Sequence, residues 1–204
     1  MLQIQPIRLW HNSKLWLAVM LYSVNRLMIS GVLAGTMGLL VQNRLGETDL
    51  IIGVATLTGL LTAGQTLFSM AAAPLAGTLS DRIGSRWRVV VMGLIAGVVG
   101  FGLLAGDILG SVLIGILLIA TAKGSVQSLA TAMTGDAVNH AQRGRAIGLL
   151  HTVGDFASAV GPGIAYWLLP WLELSSLYIA CAGIFGLALA TGLRLHKDSI
   201  SSSI

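Results

Sequence analysis

Charge is what this 204-residue sequence has least of: Lys, Arg, Asp and Glu together make 10% of it, where soluble domains carry about 25%. So little charge cannot cover a soluble globular surface, which excludes a cytosolic enzyme or a secreted domain. A single cysteine, Cys181, excludes an internal disulfide and a Cys-based metal site. There is no G-x4-G-K-[ST] run, so ATP-driven transport is not indicated, and no H-E-x-x-H pair. A membrane protease would need a placed nucleophile and base, and His151 with a serine such as Ser158 is no recognised arrangement. The chain is therefore read as non-enzymatic, with no cofactor and no metal. The first 14 residues lack an apolar core followed by a small-residue cleavage site, so a cleaved signal peptide is not expected.

What is present is apolar: 55% of the residues, with a mean hydropathy of +0.84. That excludes disorder. The apolar residues form six blocks, each of roughly 20 residues, enough to cross a bilayer as a helix. They cover 15–41, 50–79, 89–105, 109–134, 146–169 and 174–193. Barrel strands would alternate apolar and polar over about 10 residues, and these blocks are continuous. Helices also satisfy their own backbone groups in lipid. The expected organisation is a short segment 1–14, a six-helix bundle over 15–194 and a polar tail 195–204.

The net charge of +4 is a matter of topology, not of nucleic acid. Arg82, Arg86 and Arg88 lie between spans 2 and 3, and Arg143 and Arg145 between spans 4 and 5. Arg8 and Lys14 precede span 1, and Arg194 and Lys197 follow span 6. In a six-span chain these segments share one side, which holds nine of the twelve basic residues. The opposite side has Arg44 against Glu47, Asp49, Asp107 and Glu173. The excess of positive charge places both termini in the cytoplasm, in a multi-pass protein expected in the plasma (inner) membrane. Trp10, Trp16, Trp87, Trp167 and Trp171 fall near the span ends and read as interfacial anchors.

The run GTLSDRIGSRWR between spans 2 and 3 resembles the signature of the major facilitator superfamily, G-x-L-x-D-R-x-G-R-R. Gly77, Leu79, Asp81, Arg82, Gly84 and Arg86 match, and Ser85 departs where the family has Arg. Physically, Gly77 lets a neighbouring helix approach, Asp81 can cap a helix N-terminus across the bundle and Gly84 permits a tight turn. A second stretch resembles the family's antiporter-type helix, G-x8-G-x3-G-P-x2-G-G, with Gly148, Ala157, Gly161, Pro162 and Ala165 in most of the slots. Two alanines for glycines weaken the antiporter label, and an ordinary kinked helix reads the same way.

The resemblance implies an all-α membrane fold of two inverted three-helix repeats, half of a twelve-span transporter. The lead-in and tail look more like the C-terminal half. It also implies that Asp136 and Arg143 join Asp81, Arg82 and Arg86 in a cytoplasmic charge network that gates the carrier. The alternative is that these are ordinary solvated loop charges.

Three ionisable residues lie deep within spans, where charge is costly and signals function. At about 1.5 Å per residue, Arg26, Lys123 and Asp155 are about 17, 20 and 15 Å from the cytoplasmic end, near the midplane. The inverted repeat matches span 1 to span 4, so Arg26 and Lys123 fall at corresponding depths, with Asn25 beside one and Gln127 a turn from the other. Two cations suit an anionic substrate; equally, Asp155 could neutralise one of them in a structural pair. His151 shares a face with Asp155 at i, i+4. It could pass a proton or only bond a neighbour. Gln65 in span 2 is a polar candidate; the alternative is that it only bonds another helix.

The expected function is a secondary active transporter, or half of one, moving a small solute by alternating access. Its expected partners are the bilayer, a solute that is anionic if the cations bind it, protons, and a second six-helix half or a like copy. The alternative is a truncated, non-transporting membrane protein or an interaction module that retains the fold.

Overall fold

A computed structural model describes residues 13–45, 53–106 and 108–201, with the side chains of Leu45 and 195–201 left aside. Arg8, Trp10, His11, Glu47, Asp49 and Asp107 lie outside the described residues. Every regular element among the described residues is helical. Span 1 is continuous but composite: α1 (Ser13–Asn25), a π-helical segment (Arg26–Leu33) and α2 (Ala34–Leu45). Then come α3 (Val54–Ile83), α4 (Arg86–Leu104), α5 (Leu109–Asp136), α6 (Arg143–Leu168) and α7 (Leu174–Ser201). A 3-10 turn, His140–Gln142, precedes α6.

Five of these six spans are long and apolar enough to cross a membrane, with α6 the exception. α6 has the length, at 26 residues, but Arg143, Arg145, His151 and Asp155 lower its apolarity.

The second span corrects the expected boundary. The residues Ser80, Asp81, Arg82 and Ile83 are not loop but the last turn of α3. Polar residues can continue a helix once it leaves the apolar core, and only a backbone change stops it. Gly84 supplies that change with φ 67° in the left-handed region, and the Ser85 N–H donates back to the Ser80 carbonyl at 3.2 Å. The glycine C-cap is the usual solution here. The link between α3 and α4 is thus two residues, yet both helices pack chiefly on α5 and less on each other.

Span 1 is the most buried span. Leu21, Ile29, Leu33, Met37 and Leu40 are almost fully buried and share one core with Leu94, Phe101 and Leu104 of α4, Ile119 and Val126 of α5, and Tyr178 and Phe185 of α7. α3 is peripheral, and Leu60, Leu67, Phe68, Met70 and Leu75 are exposed along it. In lipid, apolar burial does not drive helices together, so close backbone contact must. Small residues supply it. A Cβ on Gly100 would sit 2.7 Å from Ile119 and 3.0 Å from the Gly115 carbonyl, which fixes the α4–α5 contact. Trp87 departs from the anchor reading: it is buried, stacked where a Cβ on Gly192 would meet it at 2.5 Å.

Candidate functional site

The site begins where α1 gives way to the π segment. Tyr22, Asn25 and Arg26 follow one another at helical spacing and reach two different helices. Asn25, fully buried, donates from Nδ2 to the Ala122 carbonyl of α5 at 3.2 Å. Gln127 Nε2, one turn further along α5, donates to Asn25 Oδ1 at 3.2 Å. On the other side Arg26 forms an ion pair with Asp155 of α6. The Tyr22 hydroxyl and His151 Nδ1 lie 2.8 Å apart, in a hydrogen bond whose donor is set by the imidazole tautomer, and the rings meet edge to face. Span 1 therefore carries one polar clamp to span 4 and another to span 5.

Glycine makes the second clamp possible. A Cβ on Gly154 would overlap the Tyr22 ring and lie 3.3 Å from Arg26 Cγ, so the side chains of span 1 rest on bare α6 backbone beside Asp155. One and two turns further along, Gly31 and Gly161 touch backbone to backbone. The Tyr166 hydroxyl then donates to the Gly35 carbonyl at 3.1 Å. The π segment spans this crossing. Its wider turns free backbone geometry that an α-helix would close, and such turns gather at functional positions.

The three midplane charges resolve unevenly. Arg26 takes Asp155, whose side chain is 61% exposed against 25% for Arg26, so the pair opens at a surface of the bundle instead of being enclosed. Lys123 is half-buried, with no hydrogen bond or ion pair among the described residues. Of the two cations that Asp155 could neutralise, it is Arg26 and not Lys123 that it meets. The cause is angular position. Asn25 binds the Ala122–Gln127 stretch of α5, and this leaves Arg26 turned toward α6.

Gln65 is buried at the α3–α5 contact, where Ser69, one turn on, meets Gly124; its Nε2 has no partner among the described residues. It is not joined to the Arg26 group. Tyr22 and Gly154 were missed from sequence. Their signals were weak but present: Tyr22 four residues before Arg26, and a glycine adjoining the buried-depth Asp155.

The basic end carries less than expected. Arg86, opening α4, pairs with Asp136, closing α5, and Arg143 Nε donates to the Gly135 carbonyl at 3.0 Å. Asp81 and Arg82 are exposed, with no partner among the described residues. A single network of five residues is thus not formed among the described residues: Arg86, Asp136 and Arg143 cluster, and Asp81 and Arg82 stand apart. Gly77 and Gly148 have open space where a Cβ would go, so the close approach expected at Gly77 is not made. Of the kink residues, Gly161 and Pro162 are the ones pressed on span 1, with Pro162 beneath Gly35; Ala157 is half-buried.

Two stability predictions follow. Asn25→Ala removes both bonds to α5 and leaves the Gln127 amide short of a partner, at a cost of about 1–3 kcal/mol, read as a lower melting temperature in detergent. Arg86→Ala breaks an exposed pair and should cost under about 1 kcal/mol in the same measurement.

Comparison with known proteins agrees with this architecture. The family model described as Major Facilitator Superfamily matches residues 15–202. The tetracycline resistance protein, class C, of Escherichia coli is 28% identical over 146 residues, which is 72% of this chain and 36% of that protein. The chain thus aligns with about a third of its relative's length. Five helices long and apolar enough to cross a membrane, a helix-ending G-x-L-x-D-R-x-G run and a family match over nearly all the described residues lead to one conclusion: the chain is an integral, multi-pass membrane protein that belongs to the major facilitator superfamily.

Proposed function

We propose that the chain is a secondary active transporter, or half of one, that moves a small solute by alternating access, with both termini in the cytoplasm of a plasma (inner) membrane. The observation that carries this is the Arg26–Asp155 pair, at mid-span, clamped between spans 1 and 5 and open to a bundle surface. A charge pair in the middle of a membrane helix bundle is expensive; opening to a surface, it is in place to meet a solute. The relative, named as a tetracycline resistance protein, supports carriage of a small solute, and a gradient of protons or of the solute is proposed to drive it. His151 and Asp155, one turn apart and tied to span 1, are the groups proposed to carry the proton. The complementary surface is proposed to be covered by a second six-helix half or a like copy, because the chain spans 36% of its relative.

The cluster of Arg86, Asp136 and Arg143 is proposed to hold one conformation of the carrier, with Asp81 and Arg82 of the family signature left to meet the proposed partner half. Asp81→Asn should then slow exchange between conformations while leaving insertion intact. Because Arg86→Ala costs little stability, a strong loss of flux in that variant reports on gating.

The test is a set of everted membrane vesicles holding the chain, alone and with a co-expressed six-helix partner. An imposed proton gradient is followed by a quenched dye while solutes of each charge class are added. Collapse of the gradient by one class, lost in Asp155→Asn, supports the proposal. Inserted chain that responds to no class in either assembly favours a non-transporting protein that keeps the fold.

A further inference from the structure

Around the Arg26–Asp155 pair, the polar atoms left without partners on span 1 fit one charge class. Arg26 spends a terminal guanidinium nitrogen on Asp155, while its Nε is buried with no acceptor. Ser23 Oγ and Ser30 Oγ are likewise buried and unpartnered. Ser23, Arg26 and Ser30 follow at spacings of three and four residues, across the junction of α1 and the π segment, and so lie along one face of span 1. Lys123 stands half-buried on the neighbouring α5, next to Ala122, whose carbonyl Asn25 holds. Arg26 and Lys123 set against Asp155 leave a surplus of one positive charge. Hydroxyls can donate or accept, but guanidinium and ammonium groups only donate. What is missing is an acceptor carrying a single negative charge.

We infer that this site binds a small monoanion, of the carboxylate class, seated between Lys123 and the Arg26 Nε edge with the Ser23 and Ser30 hydroxyls donating to it, while Asp155 remains on the other edge of Arg26. This rests on the carrier reading above and names the solute class for it. Asp155 then has a selectivity role. By occupying one edge of the guanidinium it limits the site to one further negative charge, and a dianion would carry an uncompensated charge into the span. An unpaired charge there is strongly disfavoured, whereas a paired one is held by charge-assisted bonds. Tyr22 and His151 border the pair with their rings, so a flat organic anion is the shape tested.

Purified full-length chain in detergent is melted at constant ionic strength with benzoate, phthalate or benzylammonium as the probe. These share a ring and differ in charge: minus one, minus two and plus one. A ligand that binds only the folded state raises the melting temperature in proportion to occupancy. Benzoate is expected to stabilise the native chain at a concentration at least about tenfold lower than phthalate, a difference of one unpaired charge. In Asp155→Asn the surplus becomes two and the order should reverse toward phthalate. Lys123→Gln should lose the benzoate response and Lys123→Arg should keep it, which guards against a variant that is merely unstable.

Preference for benzylammonium, or an identical response in native chain and Lys123→Gln, overturns the anion class and leaves the carrier reading standing. So does a native chain that none of the three stabilises. Should Asp155→Asn not fold, the benzoate-to-phthalate ratio of native chain against Lys123→Arg and Lys123→Gln decides alone.

Discussion

Gly161→Leu is expected to abolish the folded bundle. A Cβ at Gly161 would lie 2.5 Å from Gly31 Cα and 2.9 Å from the Leu27 carbonyl. Both are backbone atoms, so no side-chain rotation relieves the contact and spans 1 and 5 must separate. Ordinary overpacking costs about 1–3 kcal/mol. Here the separation would also pull Arg26 from Asp155 and Tyr22 from His151, and a loss of more than about 4 kcal/mol is a large part of a typical total stability. The measurement is the yield of monodisperse chain on size exclusion after solubilisation, with Gly148→Leu as the control. Gly148 lies on the same helix with open space at its Cβ position, so its substitution should leave the yield unchanged. Equal yields from both variants would show that the Gly31–Gly161 crossing is not a required contact.

The second large effect concerns the midplane pair. Arg26→Gln leaves Asp155 as an unpaired carboxylate, and Asp155→Asn leaves Arg26 as an unpaired cation. Breaking a buried pair costs about 3–5 kcal/mol, and the exposure of Asp155 places this one at the lower end or below it. Because the structure pairs Asp155 with Arg26 and not with Lys123, the compensating double change is Arg26→Gln with Asp155→Asn. That double variant should be more stable than the sum of the two losses allows, by about 1–3 kcal/mol in a double-mutant cycle. The corresponding cycle of Lys123→Gln with Asp155→Asn should show a much smaller term. A large coupling in the Lys123 cycle and none in the Arg26 cycle would reverse the assignment.

The six spans were legible because continuous apolar runs of this length have few other uses. Their ends were less so. At the second span, Asp81 and Arg82 look like loop residues, yet they extend a helix that stops only at Gly84. Charge marks where a span leaves lipid, whereas backbone conformation marks where a helix ends, and the two differ by a turn. In α6 the opposite held: its ionisable residues lower its apolarity, but it remains one uninterrupted helix through Pro162.

The midplane residues were legible by depth and not by direction. Counting residues placed Arg26, Lys123 and Asp155 at one level, but which pair forms depends on rotation about the helix axes. That rotation is set by the Asn25 bonds to α5, the bare surface at Gly154 and the π segment at Arg26–Leu33. The first two leave faint traces in sequence, a buried amide beside an arginine and a glycine beside an aspartate. The π segment leaves none, since its residues, RLMISGVL, would serve equally in an α-helix.

The central claim is that water and solute reach Lys123 in the middle of the membrane. Cys181 is the sole cysteine and is buried, so a Cys181→Ala background allows one reactive thiol to be placed by Lys123→Cys. In intact cells and in everted vesicles the thiol is exposed to membrane-impermeant sulfonate and trimethylammonium thiosulfonate reagents of similar size. Modification from at least one side by both charged reagents is expected, with no strong preference between them, because Arg26 and Asp155 balance each other once Lys123 is replaced; adding Asp155→Asn should then favour the anionic reagent. A thiol that neither charged reagent reaches from either side, while a small lipid-soluble maleimide does, would place residue 123 in lipid or closed packing and contradict the account.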